Sequence, residues 1–375
     1  MSDPATRAGA FLTIDLDAIA DNWRACAARL TAGARAAAVV KADAYGLGAD
    51  RVAGALWTAG CTRFVVATLD EALALRAVLR DAEILVLSGP FPGTVAEFSQ
   101  HRLWPVLNGP EQVAAWATFA ASLNHALPAV LHVDTGMSRL GLSLKEALAL
   151  ADDSRLMAGL DLKLIISHLA CADEPTHPLN LLQLDRFATA RALFPGVPGS
   201  LAASSGIFLG PSFHADWVRP GVALYGCNPT PGQTNPMRPV VGLKARVVRV
   251  RDVDADDTVG YGATHRCPTN SRLAIVAAGY ADGLHRALGN RGRALVKGQV
   301  VPLVGRVSMD LSIFDIGALP DGTVKAGDLI DLVGPGHDID DIAAEAGTIG
   351  YEILTALGRR YYRVYQHTAQ AGGTH

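Results

Sequence analysis

The chain has 375 residues and a formal net charge of −3, half of its residues are hydrophobic, and only 18% are charged. Such a chain can bury a large core, and its length suggests about two or three domains. No block of like charge is present, so nothing in the composition points to nucleic acid or to an anionic membrane surface. We therefore expect neither a nucleic-acid partner nor a membrane partner.

Cysteine use and the N-terminal residues indicate a cytoplasmic protein. The five cysteines are far apart and form no CxxC pair, which favours reduced thiols over a disulfide framework or a zinc site. Residues 1–12 lack the apolar stretch of a signal peptide, and no apolar run approaches the length of a membrane span. We expect a cytoplasmic location and no bound metal.

The first two thirds of the chain alternate short apolar strands with alanine-rich helical stretches. Residues 16–30 carry apolar side chains at helical spacing, which predicts an amphipathic helix before the first strand. Among the later helices, the clearest are predicted at 69–79, 110–120 and 179–193. The eight predicted strands are residues 36–40, 64–67, 84–87, 104–107, 129–133, 162–167, 201–203 and 222–225.

Eight apolar strands separated mostly by helices predict an α/β fold, a parallel sheet closed into a (β/α)8 TIM-type barrel. An open doubly wound sheet is the structural alternative, but no GxGxxG motif follows the first strand. Residues 228–233 (NPTPGQ) have the composition of a linker, and short β-like runs follow them. We therefore predict a barrel at residues 1–230 and a second, mostly β domain at residues 231–375.

A lysine ends the first predicted strand. Lys41 follows a run of apolar residues, and Gly46 and Gly48 come shortly after it. Desolvation at a strand end would lower the pKa of the amine and free its lone pair for attack on a carbonyl, as in a Schiff-base lysine. The segment alone equally allows a lysine whose amine reaches solvent.

Further candidate ligands gather where the predicted strands end, which is where barrel enzymes place their sites. Arg139 follows the fifth strand, His168 ends the sixth and Ser204 follows the seventh, while Arg219 and Gly221 precede the eighth. Each has a structural alternative: the serine could cap a helix, the arginine could pair with a carboxylate, and the histidine could be a satisfied core residue. A helix cap and a phosphate site, however, use the same free backbone N–H groups.

Residues 39–49, VVKADAYGLGA, resemble the pyridoxal-phosphate-binding segment of alanine racemases. One such block would be weak support, but several more follow in the family's order. The resemblance implies an isomerase that interconverts L-alanine and D-alanine with pyridoxal 5′-phosphate and supplies D-alanine for peptidoglycan. The further blocks are DTGMSRLG (134–141), SHLACADE (167–174), AASSGI (202–207), VRPGVALYG (218–226), GYGATH (260–265), GYADG (279–283) and GRVSMD (305–310).

The resemblance implies two catalytic bases on opposite faces of the substrate. Lys41 would take the Cα proton from the D-isomer and Tyr261 from the L-isomer, because inversion needs proton removal on one face and return on the other. In the family this tyrosine comes from the partner subunit of a head-to-tail dimer. We therefore expect a homodimer with composite active sites and an inactive monomer, in which Met309, also from the partner, offers its backbone to the substrate carboxylate.

The same resemblance assigns the cofactor contacts. Arg219 would face the pyridine nitrogen, and His168, oriented by this arginine, would hydrogen-bond the catalytic tyrosine. Because a guanidinium keeps its proton near neutral pH, we expect a weak electron sink and little transamination. Arg139 would polarise the cofactor's phenolic oxygen and help to hold the substrate carboxylate. The implied phosphate contacts are Tyr45, Ser204, Gly221 and Val222, and the implied entryway residues are Asp173, Tyr280 and Arg286.

Two positions depart from the family pattern. Many members have a carbamylated lysine seven residues before the arginine that matches Arg139, and here that position is His132, which cannot form a carbamate. The family's C-terminal phosphate-contacting tyrosine falls on Arg359, with Tyr361 as an alternative. The group that replaces the carbamate and the C-terminal phosphate ligand both stay open.

Three alternatives share part of these features. A racemase of broader specificity would have the same fold, but such enzymes tend to be exported. A non-catalytic pyridoxal-phosphate-binding barrel protein would lack the second domain with Tyr261 and Met309. A decarboxylase with both domains would carry a cysteine-containing motif that is not evident here. We therefore expect an alanine racemase, and the sequence leaves open its exclusivity for alanine over serine and its biosynthetic or catabolic role.

Overall fold

The computed structural model describes residues 3–367, and the chain divides into two compact units. The first, which we call the barrel unit, contains Ile19–Ala44 and Gly48–Arg238. The second, which we call the β unit, contains the residues up to Ala18, Tyr45–Leu47 and the residues from Pro239 onward.

Seven parallel strands form the curled sheet of the barrel unit, and each pairs with the next along the chain. The strands end in runs of buried apolar residues, and these runs form the core of the unit. An eighth strand, Trp217–Val218, pairs in parallel with Arg35–Ala36, which directly precede the sheet's first strand. The seven strands are Ala38–Val39, Arg63–Val66, Glu83–Val86, Trp104–Leu107, Leu127–His132, Leu160–Ile166 and Gly199–Ser200.

Backbone hydrogen bonds close this sheet into a barrel. The N–H of Val39 donates to the carbonyl of Pro220 at 3.0 Å, which joins the eighth strand to the first. The N–H of Arg219 donates to the carbonyl of Ala202 at 2.9 Å, which joins the seventh strand to the eighth. The predicted fold class, an α/β barrel followed by a mostly β domain, is confirmed.

The last two predicted strands are displaced. The seventh strand is Gly199–Ser200 rather than residues 201–203, and the eighth is Trp217–Val218 rather than residues 222–225. Val222–Tyr225 is a 3-10 helix whose four side chains are all buried. The strand prediction is wrong there because a short, wholly buried apolar run has no periodicity that separates strand from helix. Arg219 and Gly221 consequently follow the eighth strand instead of preceding it.

Helices separate most of the barrel strands along the chain. The helix Leu69–Val78 begins with a capping box in which the hydroxyl of Thr68 accepts the N–H of Glu71 at 3.3 Å. No helix between residues 3 and 367 is long and apolar enough to cross a membrane. The α-helices of the barrel unit and its N-terminal junction are Leu16–Ala27, Ala49–Thr58, Leu69–Val78, Val95–Gln100, Pro110–Ser122, Leu144–Asp152, Ser154–Met157 and Pro178–Ala192.

The β unit is built on an eight-stranded sheet that includes strands near both ends of the described chain. Ala10–Asp15 pairs antiparallel with Val241–Val253 and parallel with Tyr362–Gln366. The other strands of the sheet are Ser271–Val276, Arg293–Val296, Gln299–Pro302, Ser312–Asp315 and Leu329–Val333. The helices Pro4–Arg7, Ile339–Ala346 and Gly350–Ala356 complete the described part of the unit together with short strands and 3-10 turns.

The N-terminal strand corrects one part of the predicted domain division. Ala10–Asp15 alternates buried and half-buried residues, and its backbone groups are paired within the β unit, so these residues do not belong to the barrel. Neither this strand nor Tyr362–Gln366 was predicted, because each is a short strand that needs a partner distant in sequence. The boundary between residues 230 and 231 stays a prediction.

Candidate active site

Lys41 lies where the first barrel strand ends. It comes two residues after the strand Ala38–Val39 and is half-buried. Burial lowers the pKa of the Lys41 amine, the Arg139 guanidinium lowers it further, and Glu71 opposes both. An amine with a lowered pKa is more often neutral, and a neutral amine can attack a carbonyl or accept a proton.

A left-handed turn follows Lys41 directly. Ala42, Asp43 and Ala44 have φ values of 52–54° and ψ values of 47–52°, and Tyr45 continues the turn with a φ of 56°. L-residues avoid this region at a cost of about 1–2 kcal/mol each. A run of four such residues persists only where the surrounding contacts hold it in place.

Glu71 holds this turn, and it was not predicted as part of the site. Its Oε1 accepts the N–H of Ala42 at 2.7 Å, and its Oε2 accepts the N–H of Ala67 at 2.7 Å. The spacing of Thr68 and Glu71 is a capping-box signal that predicts the start of a helix. That signal could have identified the helix but not the second contact of the carboxylate, which fixes the backbone beside Lys41.

Arg219 is a buried cation, and its guanidinium donates hydrogen bonds to two serines. The side chain is 4% exposed. Its guanidinium donates to the carbonyl of Ser200 at 2.7 Å, to the carbonyl of Ser167 at 2.5 Å and to the hydroxyl of Ser200. Burial lowers the pKa of Arg219 to about 10, so the guanidinium still carries its charge near neutral pH. Neither Ser167 nor Ser200 was predicted as a site residue, because each contacts Arg219 from the end of a different barrel strand.

Two histidines of the barrel unit are neutral near physiological pH. Burial, followed by the charge of Arg219, lowers the pKa of His168 to about 3. The same two causes lower the pKa of His132 to about 4. The charges of Arg139 and Lys41 also act on His168. The structure therefore brings Lys41, His132, Arg139, His168 and Arg219 close enough for their charges to interact. Burial, aided by the arginine charges, keeps both imidazoles uncharged.

Asn108 fixes the tautomer of His132. Its Nδ2 donates to the carbonyls of Leu87 at 2.8 Å and Val106 at 3.0 Å, so its Oδ1 faces the imidazole. His132 Nδ1 lies 2.8 Å from this Oδ1 and must carry the proton. Nε2 is then left with a lone pair. A neutral acceptor thus occupies the position where the family often has a carbamate, and the group that orients Arg139 stays open.

Ser204 and the turn at Gly221 form a polar cradle. The hydroxyl of Ser204 does not cap its own 3-10 helix, Ser205–Leu209. It accepts the N–H groups of Gly221 at 2.9 Å and Ala223 at 3.2 Å. Since Val222–Tyr225 also begins here, the first N–H groups of two short helices meet at this place, and such groups have no partner inside their helix. Because the Ser204 hydroxyl accepts the N–H groups of Gly221 and Ala223, its own O–H remains free to donate, and such a donor beside helix N-termini suits a phosphate.

The remaining predicted residues lie mostly in the β unit and are exposed. Tyr261 is in the turn of a short hairpin, and 72% of the residue is exposed. Met309 is 53% exposed and Tyr280 is 44% exposed. The roles implied for these residues stay predictions. The others are Arg286, exposed in the β unit, Asp173, exposed in the barrel unit, and Tyr45, half-buried in the left-handed turn.

The two candidates for the C-terminal phosphate contact differ in burial. Arg359 is exposed. Tyr361 is 4% exposed, and its hydroxyl has no hydrogen-bond partner within residues 3–367. Burial, followed by the charge of Asp282, raises the pKa of this phenol. Both candidates stay open.

Comparison with known proteins gives the same result across nearly the whole chain. The family "Alanine racemase, N-terminal domain" matches residues 14–229, and "Alanine racemase, C-terminal domain" matches residues 240–365. An alanine racemase of Rhodospirillum rubrum is 52% identical over 368 residues, which covers 98% of each chain.

Solved structures agree with the sequence comparison. An alanine racemase from Bartonella henselae with covalently bound pyridoxal phosphate is 40% identical, with a TM-score of 0.92 over 96% of this chain and 100% of that one. A biosynthetic alanine racemase from Pseudomonas aeruginosa is 38% identical, with a TM-score of 0.88 over 96% of this chain and 100% of that one.

Proposed function

This chain belongs to the alanine racemase family, and we propose from that premise that it interconverts L-alanine and D-alanine with pyridoxal 5′-phosphate. The predicted family is thereby confirmed. The observation that carries the proposal is Lys41 itself, whose amine has a lowered pKa at the end of the first barrel strand, with Arg139 close enough to contribute. A lysine in this state is suited to bind an aldehyde and to exchange a proton.

The donors of the barrel unit fit pyridoxal phosphate. The Ser204 hydroxyl accepts the N–H groups of Gly221 and Ala223, so its own O–H is left to donate to a phosphate. Arg219 offers the pyridine nitrogen a buried guanidinium that keeps its charge near neutral pH. Lys41 offers the amine that binds the aldehyde. When bound, the cofactor withdraws electrons from the substrate Cα and makes its proton more acidic.

The proton transfers are assigned to two side chains. Lys41 Nζ removes the Cα proton of D-alanine and returns one when the reaction runs from L-alanine, and Tyr261 Oη does the reverse on the other face. His168, held neutral by burial and by Arg219, would donate its ring N–H to the phenol oxygen and so favour the ionised phenolate. Arg139 holds the substrate carboxylate, which fixes the Cα between the two bases.

We propose that the active protein is a homodimer with composite sites. Tyr261, Tyr280 and Met309 are large side chains that remain 72%, 44% and 53% exposed. Exposed apolar groups of this size mark surfaces that another chain can cover. In this arrangement the partner subunit's Tyr261 reaches Lys41. We also propose that the enzyme is cytoplasmic and supplies D-alanine to peptidoglycan synthesis.

The activity is tested with purified protein by visible absorption and by the circular dichroism of L-alanine solutions. We expect a yellow protein in which borohydride fixes the cofactor on Lys41, as found by peptide mapping, and a steady loss of the L-alanine signal. Lys41→Ala should lose both. A protein that binds the cofactor but leaves L-alanine unchanged would contradict the proposal.

Composite sites are tested by mixing two inactive variants. Lys41→Ala and Tyr261→Phe each lose racemisation as homodimers. In a hybrid dimer, one site combines an intact Lys41 with the partner's intact Tyr261, so random exchange should restore about one quarter of the wild-type activity. If both residues of a site came from the same chain, no hybrid site would be intact and the mixture would stay inactive.

A further inference from the structure

One arginine bridges two loops of the β unit. Arg360 Nε lies 3.0 Å from Asp282 Oδ1, and its Nη1 lies 2.7 Å from Asp310 Oδ1. Each of the three charged residues belongs to a different loop, and two of these loops carry residues implied to border the substrate. The three loops, which we call the clamp loops, are residues 279–283, 308–310 and 356–360.

The first two clamp loops lie against each other along their backbones. The N–H groups of Tyr280 and Ala281 donate to the carbonyls of Ser308 and Met309, both at 2.9 Å. A Cβ on Gly279 would lie 2.4 Å from both of these carbonyl oxygens, so no residue with a side chain allows this approach. The place of Tyr280 therefore depends on the loop that carries Met309.

The third clamp loop approaches the first equally closely. The N–H of Gly358 donates to the carbonyl of Asp282 at 2.9 Å, and a Cβ on Gly283 would lie 2.1 Å from the carbonyl oxygen of Ala356. Asp282 is 4% exposed, and its Oδ2 accepts a backbone N–H of its own loop at 2.9 Å. Its other oxygen faces Arg360, so the carboxylate is held from both sides.

We propose that Arg360 is a positioning residue that fixes Tyr280 and Met309 and thereby limits the size of the substrate side chain. This inference rests on the proposed function, in which these two residues border the substrate. The planar guanidinium can meet two carboxylates at once, whereas a lysine ammonium on a flexible stem suits one. Without Arg360, Asp282 and Asp310 are two like charges that have lost the cation between them.

The test uses the holoenzyme with three variants. Arg360→Met removes both bridges, Arg360→Lys can keep one, and Lys244→Met is the matched control, because it removes another ion pair of the same unit, the 3.2 Å contact to Asp331. In Arg360→Met we expect faster hydrogen exchange in peptides containing the amides of Tyr280 and Ala281. We also expect the ratio of kcat/KM for L-serine to that for L-alanine to rise about fivefold to tenfold. Arg360→Lys should lie between, and Lys244→Met should match the wild type in both.

An unchanged serine-to-alanine ratio in Arg360→Met overturns the proposal. An equal loss with both substrates does so as well, because a merely structural arginine would lower both alike. If Arg360→Met does not fold, Asp310→Asn replaces it, because this change removes only the exposed carboxylate. The serine-to-alanine ratio of kcat/KM and the hydrogen exchange of the Tyr280 and Ala281 amides then test the proposal in the same way. If the wild-type protein racemises neither amino acid, the proposed function fails, and the exchange of the Tyr280 and Ala281 amides alone tests the clamp.

Discussion

Replacing His168 with glutamine should make the protein less sensitive to mild acid. Burial and Arg219 hold the pKa of His168 at about 3 in the folded protein, against an ordinary value of 6.5. Below 6.5 the unfolded chain gains a proton that the folded protein does not accept, so folding loses free energy as the pH falls. This loss is about 1.4 kcal/mol at about pH 5.5 and about 2.7 kcal/mol at about pH 4.5.

The measurement is urea unfolding of wild type and His168→Gln at pH 7.5 and 5.5. The fall in unfolding free energy between the two pH values should be about 1.4 kcal/mol smaller in the variant, whatever its absolute stability, because the carboxylates titrate alike in both proteins. His132→Gln should behave similarly, since the pKa of His132 is lowered to about 4. Replacement of His125, which is exposed, is the control and should change nothing. The same pH dependence in wild type and His168→Gln would refute the reasoning.

Two stability predictions follow from the backbone. The Glu71 carboxylate accepts three backbone N–H groups, Ala42 at Oε1 and Ala67 and Thr68 at Oε2. Glu71→Gln has a single acceptor oxygen, so it cannot serve both sides, and it should lower the unfolding free energy by about 1–2 kcal/mol by loosening the turn at Ala42; urea unfolding that matches the wild type would contradict this. Gly283→Ala places a Cβ 2.1 Å from the Ala356 carbonyl oxygen at a φ of +102°, and it should cost more than about 2 kcal/mol. Gly298→Ala is the control: it has a φ of +80° but nothing within 4 Å of the added Cβ, so its cost comes only from the backbone conformation and should be about 1 kcal/mol. The difference in thermal stability between the two variants therefore measures the steric clash at Gly283.

Local patterns predicted those elements whose ends carry their own signals. The helix predicted at residues 69–79 is Leu69–Val78, because Thr68 and Glu71 cap its start. The strand predicted at residues 222–225 failed, because four buried apolar residues suit a 3-10 helix as well as a strand. Whether such a short apolar run becomes a strand or a helix depends on the hydrogen-bond partners of its backbone in the folded protein.

The candidate site also contains one part that the sequence predicted and another that only the structure shows. The sequence placed Lys41 at a strand end, and the structure adds the left-handed turn behind it. The carboxylate that holds this turn is 29 residues away from Ala42. The amide that sets the tautomer of His132 is 24 residues away, in Asn108. A hydrogen-bond partner at such a distance is selected by how the strands pack, and no local pattern encodes that choice.

By itself the sequence determined the order of the motifs, the alternation of strands and helices, and the residue types that the proposed reaction needs, because these depend on residue type and short spacing. Only the tertiary structure decided that Ala10–Asp15 joins the β unit by pairing with Val241–Val253, and that Arg360 reaches a carboxylate 50 residues earlier, in Asp310. Contacts of this kind join segments that are far apart along the chain. Closing such a long loop costs entropy, so these contacts form only as part of the whole folded structure and leave no local pattern in the sequence.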